Sequence, residues 1–398
     1  MSSDSSKHID TVLQHTGTAR FDPDTGVAPV NQPPVRASTV RFRDLSALEN
    51  AYRRKAAGER AITYGRAGMD THLALESIFN ELEGGTHCYL SSSGMASNTL
   101  VFMALLSAGD HALVADCVYG PVRELHDAVL SRLGIEITYF SPDADLETLV
   151  RPNTRLLYAE SPGSLLFQMM DMPALAAFAR KHELVLATDN TWGSGYVYRP
   201  LELGAHVSVI AGTKYVGGHS DLMLGAVVTR DDEIARRLGG TQYAMGYSVS
   251  ADDVWLALRG VRTMPIRMAQ HAKHAMAVCE WLATRPEVSR IYHPAWPQDP
   301  GHALWQRDAT GSNGMLAVSL KLSPTAARRF VEALTLFGIG FSWGGFESLV
   351  QLVSPKDLAT HAYWQEGELA AVRLHIGLED PRDVIADLEQ ALRKAAES

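Results

Sequence analysis

An α/β fold is what the sequence predicts: a mainly parallel seven-stranded sheet domain followed by a smaller C-terminal α+β domain. Three observations carry that expectation. Seven short apolar runs recur between residues 87 and 229, several separated by amphipathic helical stretches. That alternation produces a largely parallel sheet covered on both faces. After about residue 261 the order changes to one long helical stretch and then mixed strands and helices. Finally, the 398 residues, 46% of them apolar and 20% charged, supply core enough for two or three domains.

Residues 1–60 read as an N-terminal arm. Asp22-Pro23-Asp24-Thr25-Gly26 and Asn31-Gln32-Pro33-Pro34 are turn-forming or extended, and the stretch is expected to pack on something else, such as another subunit. The large domain spans 61–260. Its expected strands are His87–Leu90, Ala112–Ala115, Ile135–Phe140, Arg155–Ala159, Leu184–Thr188, Val207–Ala211 and Ala226–Thr229. Helical patterns fall between several of them, at 99–106 and 173–182 for instance. The small domain spans 261–398. It opens with a helix over Met264–Leu282, and Met315–Leu322, Ser348–Val353 and Val372–Ile376 read as strands. Ser323-Pro324 starts a helix over Thr325–Phe337, and Asp380-Pro381 caps a last helix that runs to about Ala396.

Bulk properties narrow the function. A net charge of −9 leaves no electrostatic footprint for nucleic acid or an anionic membrane surface. No apolar run reaches the roughly 18 residues that cross a bilayer, and Met-Ser-Ser-Asp-Ser-Ser-Lys has no apolar signal-peptide core. Cys88, Cys117 and Cys279 are too few and too scattered for a disulfide framework or a zinc site. A cytoplasmic enzyme without metal is expected. His271-x-x-His274 has metal-ligand spacing but lies in a basic helix with no partner acid nearby, so a solvated face is expected there.

In a parallel sheet, ligands bind where strands end at their carboxyl edge. Three such positions carry chemistry. Ser91-Ser92-Ser93-Gly94-Met95 follows the first strand and opens a helix, whose free N–H groups and positive dipole end suit a phosphate, although a plain helix cap has the same look. Asp189 directly follows the fifth strand and could hold a metal, a ribose or a protonated ring nitrogen. Thr213-Lys214-Tyr215 follows the sixth strand; burial there lowers the pKa of a lysine and makes it an amine nucleophile able to form a Schiff base. A snorkelling lysine is the bland alternative. Together, a phosphate cradle, an acid and a lysine are the set that pyridoxal phosphate (PLP) requires. No Gly-x-Gly-x-x-Gly follows the first strand, and Gly212-Thr213-Lys214 does not fit the ending of a P-loop.

From about residue 60 onward the sequence resembles the Cys/Met-metabolism PLP-dependent enzymes, and among them the bacterial cystathionine β-lyases. The matching stretches are Tyr64-Gly65-Arg66, Leu82-Glu83-Gly84-Gly85, Glu160-Ser161-Pro162-Gly163-Ser164, Asp189-Asn190-Thr191-Trp192, Thr213-Lys214-Tyr215, Gly218-His219-Ser220-Asp221, Ser342-Trp343-Gly344-Gly345 and 373–380 (RLHIGLED). The resemblance implies a fold-type-I, PLP-dependent transferase-like architecture. It also implies a homotetramer built as a dimer of dimers with shared active sites. It makes Lys214 the Schiff-base lysine and Asp189 the partner of the pyridinium nitrogen. Gly94, Met95 and Thr213 become phosphate ligands, and Tyr64 and Arg66 reach the phosphate from the neighbouring subunit. Tyr119 stacks over the cofactor ring, with a part in catalysis. Arg373 forks onto the substrate α-carboxylate, with Ser342, Trp343, Tyr64 and Tyr243 on the substrate side. One departure is Ala211, where many relatives carry a serine as a second phosphate hydroxyl.

The expected reaction is β-elimination from cystathionine or a related S-substituted cysteine, giving homocysteine or another thiol, pyruvate and ammonia. Phe341-Ser342-Trp343 resembles the β-lyase pattern, whereas γ-branch enzymes often carry a glutamate just before that serine. A γ-branch enzyme, such as a methionine γ-lyase or a sulfhydrylase, remains the alternative, and a non-catalytic PLP-binding protein a more distant one. Cystathionine, cystine, cysteine and S-alkylcysteines share the eliminating core, so the sequence does not select among them.

Overall fold

The computed structural model describes residues 7–367 and 369–396. Its larger sheet contains β1 (His87–Ser91), β2 (His111–Ala115), β3 (Glu136–Phe140), β4 (Thr154–Glu160), β5 (Val185–Asp189), β6 (Val207–Ile210) and β7 (Gly225–Thr229). They lie in the order β1-β7-β6-β5-β4-β2-β3. From β6 through β5, β4 and β2 to β3 every pairing is parallel. β7 runs antiparallel to both β6 and β1, so β1 points the same way as β6. Each expected strand is present within a residue or two of its anticipated bounds. The reason is burial on both faces: β2, β6 and β7 are buried along their whole length, which produces continuous apolar runs bounded by turns. Leu156, Leu157, Ala187, Val207 and Val209 are fully buried in the main core. Burial of a Val or Leu side chain contributes about 1.5–3 kcal/mol.

The second sheet contains β8 (Val288–Tyr292), β9 (Met315–Leu320), β10 (Gly338–Ile339), β11 (Leu349–Leu352) and β12 (Ala370–His375), in the order β10-β11-β12-β9-β8. β9 and β12 pair antiparallel through six residues each. The helices Met264–Leu282, Pro324–Ala333 and Pro381–Ala396 supply the apolar faces packed on this sheet, through Val278, Phe330 and Leu388 among others.

Three expectations need correction. β8 and β10 were not anticipated: β8 is an edge strand in which polar residues interrupt the apolar run, and β10 is only two residues long. The helix expected over Thr325–Phe337 stops at Ala333, and Leu334 is already extended. The arm, expected to pack elsewhere, docks partly on its own chain. In its helix Ile9–His15, Leu13 is fully buried, and Tyr196 Oη donates to Asp10 at 2.8 Å. Phe21, Val27 and Val30 remain exposed.

Candidate active site

The parallel arrangement sends the ends of β1, β2, β4, β5 and β6 to one edge of the large sheet. Asp189 is the last residue of β5 and only 6% exposed. Its Oδ1 accepts from the Thr191 amide at 2.9 Å and from Thr191 Oγ1 at 2.6 Å, and its Oδ2 accepts from Asn98 Nδ2 at 3.2 Å. Burial pushes its pKa up, while the Thr191 and Asn98 donors and the nearby Lys214 pull it back. Three donors aimed at one buried carboxyl favour its ionised form.

Lys214 follows β6 in a turn closed by its own amide on Ala211 O at 3.1 Å and by Gly218 N on its carbonyl at 2.8 Å. Its Nζ donates to Ser342 Oγ at 2.8 Å and lies 5.3 Å from the centre of the Trp343 ring. Burial first, then the charge of Arg373, lowers its pKa to about 8 against the opposing pull of Asp189. A far larger share of this amine is therefore neutral at neutral pH than for an ordinary lysine, which suits a nucleophile and proton carrier.

Arg373 lies near the end of β12 and brings the second sheet to the same place. Its Nη2 donates to Ser342 O at 3.4 Å, and burial lowers its pKa to about 10, which leaves it cationic at neutral pH. No carboxylate within the chain pairs with it among the described residues. A half-buried guanidinium with no carboxylate partner among the described residues is suited to an external carboxylate. Ser342 itself has φ +74°, the left-handed region that costs a non-glycine residue about 1–3 kcal/mol. Its two contacts, to Lys214 and Arg373, are worth about that much together. Phe341, 80% exposed, and the half-buried Trp343 flank it.

The helix Gly94–Leu105 begins at the same edge. Ser93 caps it by accepting from Ala96 N at 3.1 Å, which leaves the Gly94 and Met95 amides at the open first turn. The helix start is pressed against the end of β6: a Cβ on Gly94 would lie 2.6 Å from the Ala211 Cβ. Thr213 is more committed than expected. Its hydroxyl donates to Leu224 O at 3.1 Å and accepts from Leu224 N at 2.9 Å. Tyr119, 46% exposed, follows β2, and burial followed by the charge of Glu160 raises its pKa.

Arg66 and Tyr243 meet apart from these residues. The Arg66 guanidinium stands 4.5 Å and Lys55 Nζ 3.9 Å from the centre of the Tyr243 ring, and Tyr64 is 46% exposed. Among the described residues no hydrogen bond or ring contact joins this group to Lys214, Asp189 or Arg373.

Several contacts escaped the sequence. Glu160, the last residue of β4, sits beside Asp189 across the sheet and accepts from the Tyr119 amide at 2.6 Å. Burial, and then the charge of Asp189, holds its pKa well above the usual carboxylate range. Asn98 and Thr191 were missed as well. Thr191, two residues beyond Asp189, has the spacing of an Asx turn and could have been found. His271 and His274 are not solvated as expected but buried, with Nδ1 of each on a carbonyl, those of Ile376 and Gly377. No cluster of three metal-ligating side chains occurs among the described residues.

This pocket fits PLP in three independent ways. It has a buried carboxylate held by donors, a half-buried lysine with a lowered pKa, and a helix start narrowed to Gly94 and Ala211. Comparisons with known proteins agree. The family described as Cys/Met metabolism PLP-dependent enzyme matches residues 10–393. The cystathionine beta-lyase of Bordetella avium is 76% identical over 396 residues, covering 100% of both chains. The Escherichia coli K12 cystathionine beta-lyase MetC is 37% identical over 393 residues, covering 96% of this chain and 98% of its own. The crystal structure of metB from Corynebacterium glutamicum superposes with a TM-score of 0.88 at 32% identity, covering 98% of each chain.

Proposed function

This chain belongs to the Cys/Met metabolism PLP-dependent enzymes, and we propose that within them it cleaves the Cβ–S bond of cystathionine or a related S-substituted cysteine. The products are a thiol, homocysteine from cystathionine, with pyruvate and ammonia. One observation carries the assignment of roles: Lys214 Nζ, Ser342 and Arg373 meet at one point, the amine on the serine hydroxyl and the guanidinium on the serine carbonyl.

When bound, PLP supplies an aldehyde for the substrate amine and an electron-withdrawing ring that acidifies Cα. Asp189 holds the ring nitrogen's proton. The Gly94 and Met95 amides, with the Thr213 hydroxyl, would hold the phosphate. Arg373 orients the substrate through its carboxylate, and Phe341 and Trp343 form an apolar wall on the leaving-group side. The Lys214 amine removes the Cα proton, and Ser342 Oγ fixes where that amine sits. General-base assistance of this kind is worth about 10²–10⁴-fold. Tyr119, positioned through its amide on Glu160, would cover the ring face. Tyr64, Arg66 and Tyr243 complete the phosphate site and the entrance of a neighbouring subunit in a homotetramer. No helix is long and apolar enough to cross a membrane among the described residues, and the enzyme is expected to work in the cytoplasm.

The keto acid identifies the reaction. Purified enzyme supplied with cystathionine should release pyruvate and homocysteine in equal amounts. Formation of 2-oxobutyrate and cysteine would instead assign it to the γ-branch.

A further inference from the structure

We propose that His375 is a positioning residue for substrate capture: its imidazole, locked in the Nδ1–H tautomer, holds the loop from Ser342 to Glu347 over Lys214. The inference rests on the proposed β-lyase site, because this loop carries Ser342 and Trp343.

His375 ends β12 two residues beyond Arg373 and is 1% exposed. Its Nδ1 lies 2.9 Å from Glu347 O, and its Nε2 accepts from Gly344 N at 3.1 Å. A carbonyl can only accept and a backbone amide can only donate, so these partners dictate the tautomer. The two bonds bracket the loop at Gly344 and Glu347. Gly344 has φ +91°, and a Cβ there would lie 2.8 Å from the carbonyl carbon of Lys214 and 2.8 Å from Tyr215 N. The loop backbone thus rests directly on the lysine turn, and two residues earlier Ser342, at φ +74°, meets the lysine amine. What His375 holds at Gly344 is therefore transmitted to Ser342 and, through the Ser342 carbonyl, to Arg373. His375 itself does not line the substrate side.

The surroundings keep the imidazole neutral. His271, on the helix Met264–Leu282, lies with its ring centre 5.1 Å away, and Tyr215 with its own 6.1 Å away. Arg373 comes from its own strand and Lys214 from the turn after β6, while the Glu347 carboxylate accepts from the Ser220 hydroxyl through one oxygen and acts on His271. Burial first, then His271, Arg373 and Lys214, hold the pKa of His375 well below the usual histidine value. Protonation would turn Nε2 into a donor facing the Gly344 donor and release the loop, and these neighbours prevent it at neutral pH.

The test compares two replacements in the holoenzyme. His375→Gln keeps an acceptor at the distal position, whereas His375→Asn keeps only the proximal donor. Steady-state turnover of cystathionine is read as pyruvate, alongside the visible cofactor absorbance. His375→Asn should raise KM about tenfold, the size of one lost hydrogen bond, with a smaller fall in kcat from the displaced Lys214 amine and absorbance retained. His375→Gln should bring KM back to within about threefold of the wild type. Equal KM values in the two variants, or a loss confined to kcat, would overturn the proposal. Should both variants fail to fold, hydrogen exchange of the wild-type holoenzyme decides, read on peptides covering 342–348. A protected Gly344 amide is expected, and exchange at the free-peptide rate would overturn the assignment. If wild-type enzyme makes 2-oxobutyrate, only the β-lyase assignment fails, and the same Gln–Asn comparison runs on that product.

Discussion

The Lys214 cluster and the Tyr243 cluster differ in how far one chain satisfies them. Around Lys214 the key polar groups have partners, most of them from a distant part of the sequence: Asp189 has Asn98 as well as the adjacent Thr191, Lys214 has Ser342, and the Tyr119 amide has Glu160. Around Tyr243, Arg66 and Lys55 stand against the tyrosine ring, and Tyr64 is 46% exposed. The first is a pocket that one chain builds almost completely. The second, among the described residues, has no hydrogen bond or ring contact to Lys214, Asp189 or Arg373. In a shared-site enzyme that is the expected division, and each prediction below breaks or sharpens it.

The largest effect belongs to the self-contained cluster. Lys214→Ala should abolish the visible cofactor band and lower kcat by at least about 10³-fold, combining a lost covalent anchor with a lost general base. Absorbance and pyruvate release check this. Arg373→Lys should raise KM for cystathionine about 10–100-fold with a smaller change in kcat, because an ammonium cannot form the two-pronged contact. Initial-rate kinetics separates the two parameters.

The second cluster predicts something no single-chain site can do. Arg66→Ala should lose cofactor on dialysis, and mixing it with Lys214→Ala should restore activity. In an equal, re-equilibrated mixture half of the dimers are mixed and one of their two sites is intact, so roughly a quarter of wild-type activity returns. An absence of complementation would place Arg66 in the pocket of its own chain.

The smallest effect is on the stability of the cofactor-free protein. The Lys214 pKa falls from 10.5 to about 8 on folding. Between those values the unfolded chain holds a proton that the folded chain lacks, so stability rises with pH across that window. Lys214→Met removes the effect. Cofactor-free Lys214→Met should therefore melt above the wild type at pH 8, with the gap narrowing towards pH 10.5, as followed by calorimetry.

The two clusters were also unequally legible in the sequence. The seven large-domain strands were readable because burial on both faces writes continuous apolar runs, and their carboxyl ends pointed to Gly94, Asp189 and Lys214. The partners that tune those residues were not. Asn98 reaches Asp189 across 91 positions of sequence, and Glu160 stood only in a family-matching stretch, with nothing in the sequence to set it beside Asp189. The left-handed backbone at Ser342 has no signal in residue type, since serine rarely adopts it. His271 and His274 misled for a related reason: a helix with charged neighbours reads as solvated, yet both rings turn onto the carbonyls that follow β12. Tyr64, Arg66 and Tyr243 were legible only through resemblance, because no hydrogen bond or ring contact among the described residues ties them to Lys214, Asp189 or Arg373.

Borohydride reduction of the holoenzyme, followed by peptide mapping, tests the centre of this account most directly. The phosphopyridoxyl label should fall on the peptide that contains Lys214, in a ratio of about one per chain. A label on Lys55, the lysine of the other cluster, or on any lysine besides Lys214, would contradict it.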